Sequence, residues 1–171
     1  MEIDLTDKER FALAMQFEML DALKPENGYG GYAQSLLSGH KWLYKGIFTI
    51  MSENLSDEKA QHVLDVLDLF SDLKYSFEHL DDKSGIEERE VHFPGFDGNN
   101  EPELLGFAKD LLKYHRYETV LQDRELNSHS QTTEIYKRML VKWLQLGRPR
   151  APLPKETIQD ILAARRYPGN R

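Results

Sequence analysis

Between Ser56 and Leu80 apolar side chains recur at the period of an α-helix, and this stripe restricts the chain to folds that bury a long amphipathic helix. Val63, Val66, Leu67, Phe70, Leu73 and Phe77 share one side, while Glu58, Gln61, Asp65, Asp68 and Asp72 fall opposite. Ser56 is a good N-cap, and Asp57 and Glu58 suit the positive end of the helix dipole.

The rest of the chain reads the same way. Thr6 and Glu9 form a capping-box signature before Phe11, Leu13, Met15, Phe17, Leu20 and Leu23, which lie at mixed helical spacing, and Lys24-Pro25 ends that helix. Gly28, Gly30 and Gly31 read as a connector, followed by a short helix from Tyr32 to Leu37. Helices are further expected over His40–Asn54, from Asn100 as cap to about Val120, from Ser130 or Thr132 to Gly147, and over Lys155–Arg166. Residues 81–100 lose the periodicity, with a short extended piece expected at Glu90–Phe93 and turns at Pro94-Gly95 and Asp97-Gly98-Asn99. The expected fold is all-α: an irregular bundle of about seven helices with one long loop (81–100), forming one domain over 1–171 with a frayed tail at 165–171.

With 171 residues, folding hides about 70% of the unfolded chain's surface, enough for one ordinary core. The chain has no cysteine, so disulfides, thiolate zinc and thiol nucleophiles are excluded. The net charge of −7 is the wrong sign for a nucleic-acid binder, although Arg148, Arg150, Arg165, Arg166 and Arg171 gather near the C-terminus; a solvated surface is the plainer reading of that group. The first residues do not read as a secretory signal, and no apolar run reaches the length of a membrane span, so a cytoplasmic protein is expected.

One stretch carries a family resemblance. Ile86-Glu87-Glu88-Arg89 to Phe93-Pro94-Gly95-Phe96-Asp97, followed by Leu104-Leu105-Gly106-Phe107, resembles the hallmark segment of the YfbU family. Arg116-Tyr117, Asn127, Tyr136-Lys137-Arg138-Met139-Leu140, Trp143 and the stretch from Leu153 to Ala164 continue the likeness in order along nearly the whole chain. The resemblance implies a small, cytoplasmic, all-helical protein of a bacterial and archaeal family with no assigned activity. Some members are joined to a helix-turn-helix segment, which implies a ligand-sensing or regulatory role.

Three polar groups are candidates for chemistry. Arg89, His92, Asp97, Arg116 and Tyr117 could converge on a small anionic ligand, since guanidinium forks match carboxylate and phosphate; the alternative is that Asp97 caps a turn and an arginine pins the loop to it. Arg124 and His129 resemble the Arg-x(4-6)-His motif of HEPN-type ribonucleases, against which stands a plain exposed connector. Glu58, His62 and Asp65 share a helical face at metal-ligand spacing, but no second Glu-x-x-His pair completes a site, so no metal or other cofactor is expected. Phosphate-binding loops and nucleophile elbows are absent. The expectation is a non-enzymatic regulatory or ligand-binding protein that self-associates; a ribonuclease and a purely structural interaction protein are the alternatives.

Overall fold

The computed structural model describes residues 4–122 and 124–166. Among them are eight α-helices and no β-strand, so the chain is all-α and multi-helical. No helix is long and apolar enough to cross a membrane among the described residues. Contacts cluster into two compact units, Met1–Asn54 and Leu55–Arg171.

The first unit is a helical hairpin with a short extension. Helix α1 (Asp7–Leu23) opens on the expected capping box of Thr6 and Glu9. Helix α2 (Tyr29–Leu37) packs back on it, and the Asp21 carboxylate of α1 accepts the Gly30 N–H at 2.7 Å, which supplies an acceptor at the start of α2. A Cβ at residue 30 would meet Asp21 Oδ2 at 2.9 Å, so a larger residue there would have to push that carboxylate aside. Helix α3 (Lys41–Tyr44) is a single turn followed by a 3-10 segment, Lys45–Ile50. The expected helix over His40–Asn54 is therefore cut short, in keeping with Gly46 and the β-branched Ile47, Thr49 and Ile50. The buried core of this unit is small: Ala14, Leu36 and Tyr44, with Leu5, Leu13, Met15, Phe17, Ile47 and Phe48 packed around them, and Ala33 buried on α2.

The second unit is built on α4 (Asp57–Glu78), capped by Ser56. All six residues of the expected apolar stripe are buried, as are Leu69, Asp72 and Ser76. Around α4 pack α5 (Pro102–Lys113), α6 (Glu118–Leu121), α7 (Thr133–Gln145) and α8 (Lys155–Ala163). The single helix expected from Asn100 to Val120 is two helices. His115 and Tyr117 take left-handed backbone conformations between them, and the Tyr117 hydroxyl donates to Asp68 Oδ1 of α4 at 2.8 Å. No strand forms at Glu90–Phe93; a 3-10 turn covers Glu88–Glu90, and Phe96 instead makes an isolated parallel bridge to Asn127.

The acidic side of α4 is only partly solvated: Glu58 and Gln61 are exposed, Asp65 and Asp68 half-buried and Asp72 buried. The segment after α7 runs along it, with Arg148 Nη2 at 2.6 Å from Asp65 Oδ1 and Arg150 Nη1 at 3.2 Å from Asp68 Oδ2. Arg150 Nε lies 3.2 Å from Asp72 Oδ2, an ion-pair contact without hydrogen-bond alignment. Leu153 N–H donates to Ser76 Oγ at 2.8 Å. Burial raises the Asp72 carboxyl above its ordinary range, against the Ala151 N–H and Arg150. Arg165, at the start of the expected frayed tail, stacks over Phe70 at 5.6 Å, and its carbonyl accepts from Arg138 Nη2 at 2.7 Å. Residues 167–171, including Arg171, lie outside the described residues.

Asn100 does not cap α5. Glu101 takes that position, and its buried carboxylate serves another helix: Thr133 N–H and Oγ1 donate to Oε1 at 2.7 and 2.6 Å, and Thr132 Oγ1 donates to Oε2 at 2.9 Å. Asp97 N–H adds a donor at 2.9 Å. Burial alone would raise the Glu101 carboxyl, but these donors outweigh it and hold it at about 2. The pull below the ordinary value of 4.5 means its stabilisation is complete above pH 4.5 and fades as pH falls toward about 2. Glu101→Gln is expected to lower unfolding stability by about 2–4 kcal/mol at pH 7, because an amide nitrogen then faces donors. In urea titrations the gap between wild type and variant should narrow at pH 3. A gap that is unchanged between the two pH values refutes the assignment.

Candidate functional site

The loop between α4 and α5 alternates inward and outward side chains. Phe93 and Phe96 turn into the core, where they pack with Phe70 and Tyr136 at ring distances of 5.4 to 5.9 Å. His92 is left half-buried and Pro94 exposed. Tyr136 locks the loop by donating its hydroxyl to the Gly95 carbonyl at 2.7 Å.

A second stretch, residues 124–128, lies alongside. Phe96 N–H donates to the Leu126 carbonyl at 3.0 Å, and Ser128 N–H donates to the Phe96 carbonyl at 3.1 Å. The approach depends on Gly95, whose φ is +100° and whose Cβ, if present, would stand 2.0 Å from Leu126 O. Asn127 completes the join by accepting from Gly98 N–H at 2.9 Å.

Together the two stretches line a cleft of about 380 Å³, bordered by Arg89, His92, Phe93, Pro94, Arg124 and Glu125. Arg89 projects from the 3-10 turn, with Nε 2.6 Å from Glu87 Oε2. Arg124 comes from the other side. His92 Nε2 is 3.8 Å from Glu88 Oε1. Burial lowers the His92 imidazole below its ordinary value, and the Arg124 charge lowers it further against the pull of Glu88, so the ring is neutral at pH 7. Glu125 is turned toward His129, whose Nε2 lies 2.9 Å from its Oε1.

Of the five residues expected to converge, the structure brings together Arg89 and His92. Asp97 is buried and holds its own turn: Asn99 N–H donates to Oδ1 at 3.0 Å, and Asn100 Nδ2 reaches Oδ2. The Asn100 side chain, then Asn99 N–H, hold the Asp97 carboxyl below the usual range. It forms no ion pair with Arg89 or Arg116 among the described residues, so this turn is held by hydrogen bonds rather than by an ion pair. Arg116 is exposed beyond α5. Tyr117 faces Asp68, and burial, then the bond to that carboxylate, push its hydroxyl up to about 12.

The other two groups are also dispersed. Arg124 lines the cleft while His129 pairs with Glu125, so His92, not His129, is the histidine that shares the cleft with Arg124. Asp65 is taken by Arg148, and His62 packs 6.5 Å from the Phe96 ring with Nε2 buried and unpartnered. Burial lowers the His62 imidazole, and Lys137 adds to this. No group of three potential metal ligands occurs among the described residues. Reasoning from sequence did not join Arg124 to Arg89 and His92, because no local pattern relates positions some thirty residues apart.

An all-α body with a long loop sealed against the 124–128 stretch defines the class. The YfbU domain model matches residues 3–164, and the chain belongs to that family. UPF0304 protein MJECS11 of Methanocaldococcus jannaschii is 26% identical over 167 residues, covering 94% of this chain and 99% of that protein.

Gly95→Ala is expected to cost about 2–4 kcal/mol, since the added methyl both strains the backbone and collides with a carbonyl that cannot yield. Hydrogen exchange should quicken first at Phe96 and Ser128, the amides that zip the two stretches. Unchanged exchange there, with unchanged stability, contradicts this view of the loop.

Proposed function

We propose that this protein is a cytoplasmic, self-associating regulatory protein without catalytic activity, and that it binds a small anion, phosphate or carboxylate in kind, in the cleft. The observation that carries the reading is the meeting of Arg89, Arg124 and His92 over the apolar floor of Phe93 and Pro94. Two guanidinium forks offer paired donors to an anion's oxygens. The neutral imidazole adds one more donor or acceptor. The lining includes no hydroxyl or thiol nucleophile, which fits binding better than covalent chemistry.

Of the two cleft arginines, Arg89 is already paired with Glu87 at 2.6 Å, and other basic side chains are engaged elsewhere. Arg148 and Arg150 are paired along α4, and Lys155 holds Asp82 at 2.6 Å. Arg124 has no carboxylate partner among the described residues. Glu125 would oppose an anion, and its turn toward His129 moderates that effect.

A thermal-shift series with inorganic phosphate, sulfate, citrate and AMP tests the reading, because a ligand that binds only the folded state raises the melting temperature. At least one should stabilise the wild type. Arg124→Ala should weaken that anion about tenfold. For sulfate, whose own charge is constant over this range, binding should tighten as pH falls from 8 to 5.5. A bound anion favours protonated His92, whose free value lies below 6.5, and a His92→Gln variant should lose this pH dependence. No stabilisation by any of the four anions sinks the proposal. RNA cleavage that disappears in His129→Ala would replace it with the ribonuclease reading.

A further inference from the structure

Helix α1 carries apolar side chains on two sides. Leu13, Ala14 and Phe17 face the core of the first unit. Phe11, Met15, Met19 and Leu23 follow one another at intervals of four, so each is turned about 40° from the last and the set spans about 120° of the helix surface. Ala12 and Ala22 fall within the same arc. Phe11, Met19 and Leu23 are 59%, 61% and 76% exposed. This is a continuous ridge three turns long; Met15, its second member, is half-buried against the unit's own core, the other three stand open, and Trp42, Leu43, Ile50 and Met51 of the same unit are exposed as well.

We propose that this ridge is the contact by which two copies of the chain pair, α1 against α1. The proposal rests on the self-association put forward above and names its surface. Three observations select a second copy as occupant. A ridge at four-residue spacing is self-complementary: the i±4 ridges of two helices interdigitate when they cross at about −50°. A two-fold axis midway between Met15 and Met19 then sets Phe11 of one copy beside Leu23 of the other and Met15 beside Met19, which is the isologous arrangement that closed dimers use. Second, the area reaches the range of a dimer contact once neighbouring apolar groups join it. The ridge exposes roughly 500 Å² per copy, so pairing hides at most roughly 1,000 Å² in all, the lower bound for a specific interface, and the exposed Trp42 and Ile50 of the same unit add to it. Third, the first unit needs more burial than it has. Its buried apolar residues are Ala14, Ala33, Leu36 and Tyr44, which is little for a helical unit of its size. Two copies joined along α1 would set α1 and α2 of each into a four-helix arrangement. The two methionines at the centre suit such a contact, because their unbranched side chains adapt to an opposing surface.

The chain has no cysteine, so introduced cysteines report the geometry directly. Full-length Met15→Cys/Met19→Cys is expected to form a covalent dimer under mild oxidation, because the axis places residue 15 of one copy beside residue 19 of the other. Ser35→Cys, on α2 away from the ridge, should stay uncrosslinked. In sedimentation experiments wild type should be a dimer and Met19→Glu a monomer with unchanged helical content, while Val141→Glu, in the second unit, remains dimeric. A monomeric wild type at high micromolar concentration overturns both the pairing and the self-association reading. A dimeric wild type whose Met15→Cys/Met19→Cys form does not crosslink overturns only this surface. Should Met19→Glu fail to fold, the crosslink still decides the question.

Discussion

The buried carboxylate of Glu101 is the contact on which the second unit's loop architecture depends. A charge held away from water must be surrounded by donors, and here they come from three directions: Asp97 on its own loop, and Thr132 and Thr133 at the start of α7. The negative charge sits at the positive end of a helix dipole, which favours it further. Once α7 is fixed this way, Tyr136 stands where its hydroxyl reaches the Gly95 carbonyl, and Phe96 is held in the aromatic cluster. The cleft is a consequence of that sequence of constraints, since its two walls are joined through Gly95 and Phe96 to Leu126.

A second set of charges works by a different balance. Asp65, Asp68 and Asp72 line one side of α4 and receive Arg148 and Arg150 from the segment between α7 and α8. Asp65 and Asp68 remain partly open to solvent, so their pairs are individually weak, and what they supply is mainly register. Asp72 is different. It is nearly closed off, its proton is held more tightly than usual, and the adjoining Leu153 and Ser76 are buried beside it. The strap thus converts what would be a wet helix face into a second packing surface, and it neutralises the basic residues that might otherwise have formed an anion-binding patch near the C-terminus.

The two units distribute apolar surface unequally. In the second, large side chains from every helix enter one cluster, including Phe70, Phe96, Tyr136 and Trp143. In the first, a hairpin and a short turn leave many large apolar groups outside. Such surface is unfavourable for an isolated domain and is ordinarily used in contact with something else. The cleft of the second unit is polar and cationic at its rim, so the two halves of the chain offer surfaces of opposite chemistry.

Much of this was legible in the chain itself. The α4 stripe, the Thr6–Glu9 capping box, the Ser56 cap, the stop at Lys24-Pro25 and the YfbU resemblance all follow from residues within a few positions of one another, and each is found in the structure or the family match. Local spacing also led astray where a distant partner intervened. Asp72 reads as solvent-facing until Arg150 covers it. Asn100 reads as a cap until Glu101 is drawn to α7. The helix through Val120 reads as unbroken until Tyr117 turns toward Asp68. Periodicity and capping, which act over one or two turns, determined that the chain is helical and where most helices begin. Which polar groups meet, Arg89 with Arg124 and not with Asp97, was decided by packing between segments far apart in the chain, because charge pairing depends on distances that only the tertiary structure sets.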